Sequence, residues 1–452
     1  MQTIKQEVMW AKVVANKFLR KVLGSNNIVA DFPNSSETMF EPEESSGASS
    51  SGQASGISSG KHIADHDQGK HNRIFVGSWN VGGVAPPDDL NMEDWLCTHT
   101  DPADIYVLGF QEVVPLNAGN IVLGFENRKI CCRWNSLIRE ALNNSISKHV
   151  HEEDKVGESY KVHPFKNHSI PSLDKISNNF PHHFDCITSK QMVGIFITVW
   201  VRNDLLPHIQ HPSVSCLGCG IMGCLGNKGS VSVRFCLHET SFCFVCSHLA
   251  SGGKEGDENN RNSNAAEILS RTRFSRGPLR NLPRKILDHD QVIWLGDLNY
   301  RIYLPHTTTR SLVQKKEWNT LLERDQLKVE LMEGHVFQGW REGMIEFAPT
   351  YKYYQNSQVY YGCDKKRKGE KKRAPAWCDR IIWFGEGLKQ KEYSRGESRL
   401  SDHRPVRAIF VSEIEAPSNP RRLGRFNCLK DHLEECFNEK VPCNVRTSFY
   451  SE

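Results

Sequence analysis

The stretch Gln291-Val-Ile-Trp-Leu-Gly-Asp297-Leu-Asn299-Tyr-Arg301 starts apolar and ends polar. Val292 to Leu295 read as a buried strand, since a short β-branched and aromatic run closed by glycine suits one. A carboxylate and an amide follow at once. A strand end is a place where a rigid sheet can hold a side chain at a fixed point. The same pattern recurs along the chain. Ile74-Phe-Val-Gly-Ser-Trp79 leads to Asn80, and Ile105-Tyr-Val-Leu-Gly-Phe110 leads to Gln111 and Glu112. Cys243-Phe-Val-Cys-Ser247 leads to His248, while Asp402 and His403 stand just before Val406-Arg-Ala-Ile-Phe-Val411.

Strands are expected at Ile74–Trp79, Ile105–Phe110, Gly194–Val201, Ser230–Phe235, Phe242–Ser247, Gln291–Leu295, Arg380–Phe384 and Val406–Val411. Helices are expected at Ile130–Leu142, Asn264–Thr272 and Lys315–Glu323. Many strands with helices between them suit one layered α/β domain over residues 73–411.

Taken singly, an Asn or Asp after a strand is commonly a turn residue, and a lone His commonly structural. Five strands ending alike, in the residue types hydrolytic metal chemistry uses, favour a site. Among these strand ends there is no serine nucleophile elbow, Walker loop or Cys-x5-Arg loop that would suggest a covalent route. They offer hard oxygen ligands suited to Mg²⁺ and two histidines.

Composition limits the alternatives. The 452 residues are 38% hydrophobic, enough for a sizeable core, so a disordered or fibrous chain is excluded. The 57 Lys+Arg against 53 Asp+Glu give +4, too little to argue for a nucleic-acid binder. No run of eighteen apolar residues suggests a membrane span. Lys5, Glu7, Lys12 and Lys17 interrupt Met1–Phe18, so it does not read as a secretory leader. The fifteen scattered cysteines then read as reduced thiols, with a cytoplasmic location expected and peripheral or nuclear placement open. Cys216-x-x-Cys219 and Cys243-x-x-Cys246 have zinc-like spacing. The second pair lies in a strand, where residues three apart face opposite ways, so packed thiols are expected.

Residues 1–23 read as a basic amphipathic helix, packed on the domain or set against an anionic membrane, the former preferred. The linker, residues 24–72, holds eight Ser and four Gly in positions 45–60, a composition that does not bury a core. Residues 144–186 read as a variable insertion, Gly252–Asn264 as a similar polar stretch, and 412–452 as a polar tail.

Six motifs carry a resemblance. They are Gly77-Ser-Trp-Asn-Val-Gly82, Gly109-Phe-Gln-Glu-Val113, Ser247-His-Leu249, Trp294-Leu-Gly-Asp-Leu-Asn-Tyr-Arg301, Arg373-Ala-Pro-Ala-Trp-Cys-Asp-Arg380 and Leu400-Ser-Asp-His-Arg-Pro405. In this order the chain resembles the inositol polyphosphate 5-phosphatases of the endonuclease/exonuclease/phosphatase superfamily. The linker and Lys254–Asn264 resemble the plant type I members.

The resemblance implies an α/β, four-layer sandwich: two packed mixed β-sheets flanked by helices, with the site above the strand ends. It implies that Glu112, helped by Asn80, holds Mg²⁺. Asp297 would take the proton of the attacking water, with Asn299 orienting that water. His403, fixed by Asp379, and His248 would contact the phosphate, and Asp402 would support the metal or its water shell. Water would attack phosphorus in line, without a covalent intermediate. For a neighbouring 4-phosphate the matching positions are Tyr351, Lys352, Lys371 and Arg373, with Asn227 and Lys228 lining the pocket.

Partners would be inositol phosphates and phosphoinositide lipids, with anionic membrane contact open. No nucleic acid is expected. The basic run Lys365–Lys368 reads as a loop or an import signal. Inositol 1,4,5-trisphosphate, phosphatidylinositol 4,5-bisphosphate and the 3,4,5-trisphosphate are equally open as substrates. A nuclease of the same superfamily and a non-catalytic phosphoinositide scaffold are the alternatives.

Overall fold

The structure, a computed structural model, describes residues 70–98, 102–116, 126–153, 183–220, 227–276, 281–362 and 373–414. The amphipathic helix, the linker up to residue 69, the tail from residue 415 and the Lys365–Lys368 run lie outside these residues; residues 70–72 and 412–414, expected in linker and tail, belong to the first and last strands. Each of the eight expected strands is present. The first sheet holds β1 (Lys70–Asn80), β2 (Ile105–Gln111), β3 (Phe184–Met192), β4 (Ile195–Arg202), β11 (Leu388–Arg395) and β12 (Val406–Ile414), in the order β11-β12-β1-β2-β4-β3. The second holds β5 (Ile209–Gly218), β6 (Gly229–Leu237), β7 (Thr240–His248), β8 (Gln291–Asp297), β9 (Arg341–Glu342) and β10 (Asp379–Phe384), in the order β5-β6-β7-β8-β10-β9.

Each sheet has one parallel pair at its centre, β1–β2 in the first and β7–β8 in the second; the other neighbours are antiparallel. Parallel strands end at the same edge, so each pair delivers two strand ends side by side. The antiparallel partner β10 starts at that edge of the second sheet, and β12 starts at that edge of the first.

Alternation along the strands builds the layers, because successive side chains point to opposite faces. Ile74, Val76, Ile105, Val107, Phe244, Cys246, Ile293, Leu295 and Ile381 fill the space between the sheets. Phe75, Trp79, Tyr106 and Phe110 face the other way, against Trp134, Ile138 and Leu142 of helix α2 (Arg128–Glu153), counted after the short α1 (Glu93–Leu96). Val245 and Trp294 on the far side of the second sheet meet Ala265 and Ile268 of α3 (Asp257–Arg271). This is the four-layer arrangement of two mixed sheets between helices. Gly109 allows the sheets to close: a Cβ there would lie 2.7 Å from Cys246 Sγ and 2.8 Å from Leu295 Cδ1.

Four strands were not anticipated, β3, β5, β9 and β11, and they are the four sheet edges. Edge strands leave one side unpaired and carry polar residues, so apolar runs do not mark them. β11 reads Leu-Lys-Gln-Lys-Glu-Tyr-Ser-Arg, for example. The expected insertion at 144–186 is shorter at both ends, since α2 continues to Glu153 and β3 begins at Phe184. The polar stretch Gly252–Asn264 likewise contains the first half of α3. The single helix expected at Lys315–Glu323 is split between α4 (His306–Lys315) and α5 (Trp318–Leu322), with Lys316 in a left-handed conformation (φ 59°) between them. Cys216, Cys219, Cys243 and Cys246 are free thiols, with Cys243 and Cys246 on opposite faces of β7.

Candidate active site

The inward column of each central strand is mostly apolar toward the core and turns polar at one edge, in β1 already from Ser78, which is hydrogen-bonded to Gln111. There it becomes Asn80, Gln111, His248, Asp297 or Asp379, all buried. Register places His248 beside Asp297 and Asp297 beside Asp379. Side chains from two sheets thus converge around one carboxylate.

Asp297 Oδ2 accepts a hydrogen bond from Asn80 Nδ2 at 2.8 Å, across the sheet interface. His248 Nε2 lies 3.3 Å from the same oxygen, and the Asn299 amide donates to Oδ1 at 3.1 Å. Burial would push Asp297 up, but His248, His403 and Lys228 outweigh it and hold the carboxyl far below its usual range. His248 goes the other way. Burial, reinforced by Lys228, lowers its pKa, so it is neutral at pH 7. Lys228 Nζ is hydrogen-bonded to His248 Nε2, and burial brings the lysine down to about 8 against the pull of Asp297 and Glu112.

His403 forms the opposite kind of group. Its Nδ1 lies 2.9 Å from Asp379 Oδ2, which also accepts from Thr350 Oγ1 at 2.7 Å. Burial disfavours the imidazolium, yet Asp379, Asp297 and Asp402 raise its pKa to about 9. Its Nε2 stands 4.0 Å from Asp297 Oδ2, beyond hydrogen-bond length, and so is open to an incoming acceptor. Ser401 fixes the loop before β12, donating to the Asn80 carbonyl at 2.6 Å and accepting from the His403 amide at 3.1 Å. The Tyr351 ring lies 4.6 Å from the His403 ring.

Asn299 is held in a left-handed conformation (φ 60°). Its Nδ2 donates to the Leu249 carbonyl at 3.1 Å, and its Oδ1 accepts from Arg301 Nη2 at 2.5 Å. The Arg301 guanidinium also covers Tyr351 at 4.5 Å. Lys352 Nζ donates to Asp402 Oδ2 at 2.7 Å beside a hollow of about 320 Å³ lined by Gly82, Tyr354 and Tyr361. Burial opposes ionisation of Asp402, but His403 and Lys352 together bring its pKa below the usual value.

Glu112 follows β2 in a left-handed conformation (φ 54°), its side chain 29% exposed and 3.9 Å from His248 Nε2. Register sets Asn80 opposite Gln111, so Glu112 follows at the same edge, and its part-open carboxylate is an oxygen ligand that fits a hard divalent cation. Asp297, Asp379 and His403 also bring ligand atoms within 4.8 Å of one another. That cluster is closed by the His403–Asp379 hydrogen bond and carries the His403 proton, so it reads better as an acid pair beside a carboxylate than as a cation cage.

The structure therefore brings Asn80, Glu112, Lys228, His248, Asp297, Asn299, Tyr351, Lys352, Asp379, Asp402 and His403 into one region. Lys228 sits against His248 at the centre of the group. Asn227 is half-buried, its Oδ1 without a partner. The Arg373 carbonyl accepts from Arg310 Nη2 at 2.8 Å, and Lys371 lies outside the described residues. Arg301, Thr350 and Ser401 received no role from the sequence. Arg301 and Ser401 lie inside the motifs Trp294–Arg301 and Leu400–Pro405, and Thr350 directly precedes Tyr351, which was the available signal. Cys378 is a buried thiol that burial pushes well above its usual pKa, as expected for packing beside Asp379. Arg380, next in line, faces away from the site and pairs with Asp325 and Glu342.

Residues 77–409 match the Endonuclease/Exonuclease/phosphatase family 2, a class in keeping with two mixed sheets and a polar mouth at their strand ends. Among similar proteins of Arabidopsis thaliana, type IV inositol polyphosphate 5-phosphatase 9 is 56% identical over 94% of this chain and 96% of its own. Type I inositol polyphosphate 5-phosphatase 8 is 46% identical over 93% and 89%. The crystal structure of the inositol polyphosphate 5-phosphatase domain of SPsynaptojanin, in complex with inositol (1,4)-bisphosphate and a calcium ion, is 30% identical. It covers 82% of this chain and 90% of that one at a TM-score of 0.60. The chain belongs to the inositol polyphosphate 5-phosphatase family, with plant members of both type I and type IV among its relatives.

Proposed function

We propose that this chain is a phosphoric monoester hydrolase that removes the 5-phosphate of inositol polyphosphates and phosphoinositides, with Mg²⁺ as its cation. The observation that carries the reading is the ionised Asp297 held among Asn80, His248 and His403 at the meeting of the two sheets. Such a group can accept a proton from water while neighbouring donors receive a phosphate. In the free site Asp297 is a weak base, because three cationic or donor groups hold its pKa low. A phosphate entering among Lys228, His248 and His403 would offset their field and raise its proton affinity. Asn299, fixed by Leu249 and Arg301, would orient the water. The protonated His403 would donate through Nε2 to a phosphoryl oxygen, with Asp379 behind it.

Glu112, with Asn80, would hold the Mg²⁺, whose chemistry when bound is neutralisation of phosphate charge. The calcium in the SPsynaptojanin domain structure supports a divalent cation in this family. Lys352 and Tyr351, with Lys371 and Arg373, would recognise the adjacent 4-phosphate, and Asp402 would hold Lys352 until it arrives. We carry forward a catalytic domain over 73–411, a cytoplasmic location, and contact of the enzyme with anionic membranes that contain phosphoinositides. No helix among the described residues is long and apolar enough to cross a membrane.

Orthophosphate release from a panel of inositol 1,4,5-trisphosphate, phosphatidylinositol 4,5-bisphosphate and the 3,4,5-trisphosphate tests the reading, with chelator followed by Mg²⁺ or Ca²⁺. Release restored by Mg²⁺ is expected. No release from any 4,5-bisphosphorylated inositide, together with nicking of plasmid DNA, would replace it with a nuclease. Asp297→Ala should abolish release and leave binding of the substrate measurable.

A further inference from the structure

Opposite the catalytic edge, the second sheet carries a basic cleft. Between Arg271 and Lys285 the sequence holds Arg271, Arg273, Arg276, Arg280, Arg284 and Lys285 and no Asp or Glu. Arg271 is paired with Glu267. Two described arms, 272–276 and 281–288, enclose a cavity of about 400 Å³ lined by Arg273, Asn281, Arg284, Lys285 and Asp288. The four residues between the arms lie outside the described ones and are no part of the site.

The arms are fastened to each other and to the sheet. The Phe274 amide donates to the Arg284 carbonyl at 2.9 Å. The buried Arg234 of β6 donates to the carbonyls of Ser275, at 3.1 Å, and Pro283, and its guanidinium lies 5.4 Å from the Phe274 ring. Asp288 is the one acid in the lining, and its Oδ2 is turned to the backbone, accepting from the amides of Lys285 at 2.8 Å and Arg284 at 3.2 Å. Arg273, Arg284 and Lys285 are exposed and, among the described residues, none stands within ion-pair distance of a carboxylate. Arg234 below them keeps a buried Nε without a partner, and Arg284 adds to burial in lowering its pKa. Folding has concentrated like charge here, which an anion would relieve.

We propose that this cleft is a second phosphate-binding site, at the pole opposite the catalytic residues, for a small molecule or headgroup with clustered phosphates. The Arg284 guanidinium, the Arg273 guanidinium (whose Nη1 donates to the Thr272 carbonyl at 2.8 Å) and a lysine, all on fixed arms, match phosphate oxygens. The volume falls within the roughly 300–1,000 Å³ of small-ligand sites. The lining has no aromatic side chain on which a base could stack, which separates this ligand from a nucleic acid. The lining leads directly into the start of β8, whose other end is Asp297, so about 20 Å of strand separates the two sites. The proposal does not depend on the catalytic reading.

Hydrogen exchange of the full chain tests it with two probes, inositol hexakisphosphate in solution and phosphatidylcholine vesicles with or without phosphatidylinositol 4,5-bisphosphate. Either probe should slow exchange at Phe274 and across Ile286–His289. Protection by the first alone identifies a free polyphosphate as ligand, and protection by the lipid-bearing vesicles alone a headgroup. The R273E/R284E/K285E variant should abolish this protection, and the milder R273Q/R284Q should weaken affinity about tenfold or more. Both should turn over a soluble substrate at the wild-type rate. Absence of protection at this pole with both probes, or protection that persists in the charge-reversed variant, would overturn the proposal.

Discussion

Asn80 and Asp297 end strands in different sheets, yet the Asn80 amide donates to the Asp297 carboxylate at 2.8 Å. Both sit on the inward face at the same edge, and the same amide's Oδ1 accepts from the Gly82 amide at 3.0 Å. Asn80 is therefore locked in one orientation, aiming its Nδ2 at Asp297, the proposed base. Asn80→Ala should lower kcat/KM by about ten- to a hundredfold, as loss of a hydrogen bond to a charged group implies. It should also raise the Mg²⁺ concentration for half-maximal rate. Steady-state kinetics across a Mg²⁺ series checks both, and an unchanged rate would remove Asn80 from the site.

The His403–Asp379 pair sets a pH dependence. The folded-state pKa of His403, about 9, exceeds the ordinary 6.5. Its contribution to stability is thus complete below about 6.5 and is lost as pH rises through 9. Activity that needs the imidazolium should fall with an alkaline limb near pH 9. Asp379→Asn removes the largest influence raising that pKa, so the limb should move down by a unit or more. Profiles of kcat against pH for both proteins measure this, and a limb that stays in place would sink the assignment.

Lys352 is held by Asp402 at 2.7 Å, next to the hollow near the catalytic groups. If it exchanges that carboxylate for a substrate phosphate, Lys352→Ala should raise KM about tenfold or more for 4-phosphorylated substrates and little for those without that phosphate. A uniform loss across both substrate sets would show that Lys352 serves general attraction instead.

Much of this site was legible because strand periodicity and residue chemistry agree. The inward parity that puts Ile293 and Leu295 in the core also puts Asp297 at its rim, and Ile74 and Val76 do the same for Asn80. The opposite facing of Cys243 and Cys246 followed from the same rule. Edge strands escaped because β5 and β11 trade apolar runs for polar side chains. Thr350 and Ser401 escaped for a different reason. Thr350 acts through Asp379, 29 residues away, and Ser401 ties the His403 loop to Asn80, 321 residues away, long-range contacts that no local pattern encodes.

Arg380 shows how adjacent residues on one strand divide labour. Asp379 faces the site, while Arg380 turns outward to Asp325 Oδ1 at 2.8 Å and Glu342 Oε2 at 2.5 Å, with Arg380 and Asp325 fully buried and the Glu342 side chain 8% exposed. Asp325 also caps helix α6 (Gln326–Glu333) through the Lys328 amide at 3.0 Å. Arg380→Ala would leave two carboxylates buried without their cation, at a cost of about 3–5 kcal/mol. Urea unfolding should show a lower midpoint, and a loss below about 1 kcal/mol would mean the network is not structural support.

Arg301 links Asn299, the amide proposed to orient the water, to Tyr351. Its Nη2 donates to Asn299 Oδ1 and its Nε to the Asn299 carbonyl at 3.0 Å, while the guanidinium covers Tyr351, whose ring lies beside His403. Lysine would keep the charge but lose the fork that makes these contacts together. Arg301→Lys should therefore lower kcat about tenfold or more with KM nearly unchanged, because Asn299 loses its fixed orientation while Lys352 stays in place. The alkaline limb set by His403 should persist, since Arg301 is not among the groups that raise its pKa. A rise in KM with kcat intact would instead place Arg301 in substrate binding.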